Sequence, residues 1–318
     1  MSTEGGTKAV VAALLANSGI AVTKFIAAGL SGSASMLAEG VHSLADAGNQ
    51  VLLLVGGRRA KKEATETHPF GYGRERYVFA FVVAIILFSI GGMFSLYEGI
   101  HKLESHEEIR IPWLPLLVLS VAIVLESFSL RTALIEANKA RGDESLASFI
   151  RHAKQPELPV ILLEDIAALT GLVFAFAGVG LSLLTGDVIW DAIGTIAIGV
   201  LLVAVAVVLG IETQSLLVGE GASRADVARI RAAFENHEKV EAIIHMKTLY
   251  LGPDELMVAA KVAVPTATKA TELAKAINEI EDAVRAAVPL ARVIYIEPDI
   301  YVARSDTSTD AIVIPGHD

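Results

Sequence analysis

Residues 188–211 read VIWDAIGTIAIGVLLVAVAVVLGI, and Glu212 follows immediately. An α-helix rises 1.5 Å per residue, so about 20 apolar residues cross the hydrocarbon layer of a bilayer. This stretch therefore reads as a membrane span, and the fall in hydropathy behind it marks a change of solvent. Working back towards the N-terminus, five more windows of the same character occur at 9–30, 35–55, 77–96, 114–134 and 160–184. The first begins a few residues after Met1 with no clear small-residue cleavage site, so it is expected to be a retained span and not a removed signal peptide.

Composition supports the same class. Of 318 residues, 53% are apolar and 19% charged, and the mean hydropathy is +0.55. These values exclude a disordered or collagen-like chain and argue against an ordinary soluble enzyme. There is no cysteine, which excludes a disulfide framework, an iron–sulfur cluster and a thiolate zinc site. Any metal must rest on His, Asp, Glu or Asn. The net charge of −10 opposes nucleic-acid binding, which needs a basic surface.

Lys and Arg in the short connections set the orientation. Arg58, Arg59, Lys61, Lys62, Arg74 and Arg76 lie between the second and third windows, and Lys139, Arg141, Arg151 and Lys154 between the fourth and fifth. The first and fifth connections carry none, and the third only Lys102 and Arg110. Both termini are thus expected in the cytoplasm. No Arg-rich, amphipathic transit peptide is evident at the start, so a bacterial plasma membrane is the simplest assignment.

From Glu212 onward 17 Asp and Glu face 11 Lys and Arg, an acidic tail in water. The periodicity predicts a helix over 224–234, a strand over 242–251, a hairpin at Gly252-Pro253-Asp254, a strand over 256–264, a helix over 270–287 and a strand over 292–297. The order α-β-β-α-β fits a small two-layer domain of the ferredoxin-like kind. Residues 304–318, rich in Ser, Thr and Asp, are expected to be a disordered tail. The predicted fold is an α-helical membrane protein of six transmembrane helices (1–211) followed by a small α+β ferredoxin-like cytosolic domain (212–303).

Ionisable residues inside a span cost at least about 2.5–3.5 kcal/mol each on the insertion scale, so each needs a reason. His42 and Asp46 stand four apart in the second window, one turn apart on one helix face. Glu164 and Asp165 lie in the fifth. Ala38, Gly40, Ala45 and Gly48 surround the first pair and Ala167, Ala168 and Gly171 the second, and small residues let helix backbones approach. Packing alone gives His42 and Asp46 a hydrogen bond to each other. Two acidic clusters on separate spans favour a divalent cation between them, because facing carboxylates repel without one. Such a donor set suits zinc, and also manganese, iron or cobalt. Asn17 either orients a ligand or bonds between helices. Lys24 is expected to snorkel to the interface. Glu126 either accepts a proton beside the site or makes a structural pair.

Gly32-Ser33 through Glu39, His42-Ser43 and Asp46, and then His68-Pro69-Phe70-Gly71-Tyr72-Gly73-Arg74-Glu75 resemble the cation diffusion facilitator transporters. The six windows and the α-β-β-α-β tail extend the resemblance over nearly the whole chain. It implies a homodimer, joined through the cytosolic domain and the membrane helices, that exports divalent transition metals, usually zinc, in exchange for protons, with no permanently bound cofactor. It also implies a transport site of His42, Asp46 and Asp165. The partner expected four residues before Asp165 is Ile161, which cannot bind metal, and Glu164 stands beside Asp165 instead. This Glu-Asp pattern looks like a divergent branch that includes mitochondrial zinc-transporter-like proteins.

Accessory metal positions of the family are degraded here. His68 matches one ligand, but Tyr72 and Thr65 occupy its expected companions' positions. In the tail Glu241 matches one position and Ile296 another, leaving His245 as either a ligand or a polar strand residue. The resemblance therefore implies proton-coupled cation efflux by alternating access. A non-transporting metal sensor or scaffold of the same fold is the alternative. An intramembrane enzyme is disfavoured because HExxH, a nucleophile elbow and a phosphate-cradling loop are all missing.

Overall fold

Ser33 begins the second helix: its hydroxyl accepts the backbone N–H of Met36, capping an end whose first amides have no intrahelical partner. In this computed structural model, which describes residues 18–105, 111, 113–142 and 144–300, the chain forms two compact units. Among the described residues, one takes those from 18 to 63 together with 75–217, and the other takes 64–74 with 218–300.

The first unit is helical. It contains α1 (Ser18–Ser31), α2 (Ala34–Arg59), α3 (Glu75–Ser105), α4 (Trp113–Arg141), the short α5 (Leu146–His152), α6 (Glu157–Thr185) and α7 (Ile189–Val218). Helices α3, α4, α6 and α7 are long and apolar enough to cross a membrane. At 26 residues α2 is also long enough, but Glu39, His42, Asp46, Asn49 and Gln50 interrupt its apolar character. The described part of α1 is shorter than a span, and residues 9–17 of its window lie outside the described residues.

Met36, Leu87, Leu119, Leu172, Ile198 and Leu202 meet in the core of this unit. Leu117, Val121, Val124 and Phe128 of α4 point outward, as lipid-facing side chains do. Close backbone approach joins α3 to α7: a Cβ placed on Gly199 would stand 2.8 Å from the backbone nitrogen of Leu96. Within α3, Leu87–Met93 widen into π-helical turns. Beyond them the Lys102 ammonium reaches the carbonyl of Gly32 at 2.9 Å.

The second unit holds α8 (Arg224–Glu235), β1 (Ala242–Gly252), β2 (Glu255–Ala263), α9 (Ala270–Ala287) and β3 (Ala291–Asp299). Its sheet runs β1-β2-β3, with β1 and β2 antiparallel and β2 and β3 parallel. Parallel strands need a crossover, which α9 supplies. Ala276, Ile280 and Val284, spaced four apart, form its buried stripe against Phe234, Leu256 and Val258. The loop 64–74 belongs to this unit, with Gly73 lying against the Leu251–Gly252 turn.

Candidate functional site

Helix α2 carries Glu39, His42, Ser43, Asp46, Asn49 and Gln50 at spacings that put them on a single face. Glu39, His42 and Asn49 are buried there, and Asp46 is nearly so. His42 Nδ1 stands 3.5 Å from Asp46 Oδ1, too far for a good hydrogen bond. Among the described residues both ring nitrogens of His42, Asp46 Oδ1, Asn49 Oδ1, Gln50 Oε1 and Glu39 Oε1 find no hydrogen-bond partner. A buried polar atom left unsatisfied costs about 1–3 kcal/mol. The face is thus lined with donors and acceptors that a ligand can satisfy.

Helix α6 brings the second acidic cluster. Consecutive residues differ by about 100° around a helix, and the two carboxylates divide accordingly. Glu164 is buried and accepts the Asn49 side-chain N–H of α2 at 2.7 Å. Asp165, half-buried, accepts the Ser129 hydroxyl of α4 at 3.0 Å. Both α2 and α4 pack on α6, so the pair of acids bridges three helices. Ile161 is 38% exposed on the outer surface. Asp46 lies within electrostatic reach of Glu126, Lys24, Glu39 and Asp165, and Glu164 within reach of Asp46 and Asp165.

Among the described residues no three His, Asp or Glu side chains converge closely enough to hold an ion. The candidates stand as two pairs, His42 with Asp46 and Glu164 with Asp165, each acid of the second pair held by a neighbouring helix. Joining them into one coordination shell requires side-chain or helix movement.

Lys24 corrects one expectation. Its side chain is 1% exposed and does not snorkel; Nζ donates to Glu39 Oε2 at 2.9 Å and to Ser43 Oγ at 2.7 Å. A buried cation is tolerable here because Glu39 neutralises it. Sequence spacing along one span carries no sign of a partner on another, although the repeat of polar residues along α2 marks Glu39 as part of the same face. Nothing in the sequence marks Asn49 and Ser129 as the residues that orient the two α6 acids.

The remaining candidates stand apart. Asn17 lies outside the described residues. His68 is exposed and packs its ring on Tyr72, centroids 4.6 Å apart. His245 is exposed on β1 opposite Lys261. Lys261 holds Glu297 and Asp299, each at 2.9 Å, and these carboxylates raise its pKa. His245 thus faces a cation whose neighbouring acids are already engaged.

The chain is similar to known proteins over most of its length. Residues 10–218 match the cation efflux transmembrane domain. The chain is 31% identical over 264 residues to the Xenopus laevis protein named proton-coupled zinc antiporter SLC30A9, mitochondrial, covering 82% of this chain and 47% of that protein. It is 29% identical to metal tolerance protein C4 of Arabidopsis thaliana over 77% of this chain and 54% of that one. An uncharacterized transporter of Methanocaldococcus jannaschii is 24% identical over 87% and 91% of the two chains. The chain spans about half the length of the first two relatives.

Proposed function

The chain belongs to the cation efflux family, and from that membership we propose that it is a multi-pass membrane antiporter that expels divalent transition-metal cations in exchange for protons. The observation that carries this reading is the pairing of two intramembrane clusters. Asp46 on α2, one turn from His42, lies within electrostatic reach of Glu164 and Asp165 on α6, in helices where isolated charges are costly. His must be neutral and the carboxylates ionised to bind a metal ion, so protons and metal compete for the same atoms. That competition couples the two fluxes when the site faces one side of the membrane at a time.

Zinc is the first cation to test, because the relatives named as proton-coupled antiporters are zinc antiporters; manganese, iron and cobalt suit the same donors. His42, Asp46, Asp165 and Glu164 are the residues assigned to the ion, with Glu126 beside them as a proton acceptor. The working unit is a homodimer of this chain. The basic connections at 58–76 and 139–154 face the cytoplasm, which puts both termini there, and a bacterial plasma membrane accommodates this arrangement.

The test is uptake of zinc, manganese, iron and cobalt into sealed proteoliposomes under an imposed pH gradient, for the native chain, Asp46→Ala and Asp165→Ala. Gradient-driven flux lost in both variants supports the antiporter. A folded protein that moves none of the four ions favours the sensor or scaffold of the same fold.

A further inference from the structure

Glu39 is the most deeply buried carboxylate on the polar face of α2 and is only half satisfied. Its Oε2 is held by Lys24, while Oε1 has no hydrogen-bond partner among the described residues. Oε1 looks towards Gly171 of α6, where a Cβ would lie 2.7 Å from it. Glycine at 171 is what lets this free carboxylate oxygen pack so closely on the α6 backbone. Glu39 also stands one helical turn from His42 and Ser43, on the side away from Arg58 and Arg59. The row of unpartnered atoms from Gln50 through Asn49, Asp46 and His42 ends on it.

The occupant of this position is itself a cation. Lys24 reaches in from α1, is 1% exposed, and its charge acts on His42, Asp46 and Glu126 as well as on Glu39. A pair serving only to lock helices would satisfy both carboxylate oxygens, since a buried carboxylate left partly unpaired is destabilising.

We propose that Glu39 is a second cation-binding position next to the His42–Asp46 pair, and that the Lys24 ammonium is a tethered competitor for it. A divalent ion arriving at Glu39 displaces the ammonium, and the returning ammonium expels the ion. Lys24 thereby weakens retention of the ion and speeds its release. This rests on the transport reading above, in which His42 and Asp46 hold the cation.

The experiment is zinc titration of the full-length chain in detergent by calorimetry, with folding checked by size exclusion and thermal unfolding. Removing the competitor in Lys24→Met and Lys24→Gln is expected to add a second bound zinc per subunit or to tighten binding by about tenfold or more. The gain is expected to vanish in Lys24→Met/Glu39→Gln, and Lys24→Arg should bind as the native chain does. Native-like binding in both Lys24 variants overturns the proposal, as does a gain that survives loss of Glu39.

The native chain supplies an independent readout if these variants do not fold. Saturating zinc should raise acetylation of Lys24 by an amine reagent, read by mass spectrometry, and unchanged labelling overturns the proposal. The two readings fail separately. If the native chain binds no zinc the transport reading falls, whereas zinc binding lost in Asp46→Ala but indifferent to Lys24 removes this inference alone.

Discussion

Asp191, at the start of α7, and Ser33, 158 residues earlier, meet at 3.0 Å beside the first turn of α2. The same carboxylate accepts the backbone N–H groups of Ala34 at 2.8 Å and Ser35 at 3.2 Å. An acid from one helix thus satisfies the free amides at the start of another. Its side chain is wholly buried. Asp191→Ala is expected to destabilise the helical unit by about 3–5 kcal/mol, against about 1 kcal/mol for Ser33→Ala. Thermal unfolding of the full-length protein in detergent checks the ranking, and an unshifted transition in Asp191→Ala contradicts it.

Asn49 fixes Glu164 from α2, while Ser129 fixes Asp165 from α4. Residues that orient a metal ligand are worth about 10–100-fold in affinity. Asn49→Ala is expected to weaken zinc binding within that range, because its loss strands a buried carboxylate. Ser129→Ala should cost less, since Asp165 is half-buried and water can replace the hydroxyl. Equal losses in calorimetric titration would show that the two acids do not differ in this way.

Gly171 and Gly199 separate site from scaffold. An added methyl at Gly171 meets Glu39 at 2.7 Å, and one at Gly199 meets the Leu96 backbone at 2.8 Å. Each Gly→Ala change is expected to destabilise by about 1–3 kcal/mol through overpacking. Only Gly171→Ala should also alter zinc affinity, because it moves a carboxylate of the α2 face. A change of similar size in Gly199→Ala would remove the distinction.

Alkaline pH should act on the second unit through Tyr250. Burial, with Asp226 and Glu220 nearby, raises its pKa above the ordinary 10.0. A phenol that resists ionisation when folded supports the fold fully below the unfolded pKa. That support is lost as pH rises through the folded one. Stability should therefore fall above about pH 10, and Tyr250→Phe should lessen the fall. Chemical denaturation of the full-length chain across this range, followed by circular dichroism, measures it; an identical pH profile in the variant rules Tyr250 out.

The helices and strands of the small domain were legible almost to the residue. The helix over 270–287 and the strand starting at Ala242 lie where periodicity predicts them, because one face of each element meets a core and the other meets water. Membrane helices offer no such alternation, so the apolar windows locate α6 and α7 but not their contacts. For the same reason Lys24 reads as an interfacial residue until Glu39 is seen opposite it. Glu164 and Asp165 are likewise adjacent letters in the sequence that address different helices once wound into α6. The assignment of loop 64–74 to the second unit had no local signature, since it depends on a turn about 180 residues away at Leu251 and Gly252.

The π-helical turns at Leu87–Met93 act as a phase adjustment in α3. Ahead of them the helix buries Tyr77, Ala80, Val83 and Ala84; after them it buries Ser95, Gly99 and Lys102. Winding the same residues as ordinary helix, with none removed, would rotate everything beyond by about 100°. Gly99 would turn away from Ile196 and Lys102 from the Gly32 carbonyl, so the far half of the rod would present the wrong side to its neighbours. By taking up one residue in a wider turn, the π segment lets a single element keep two appointments at once.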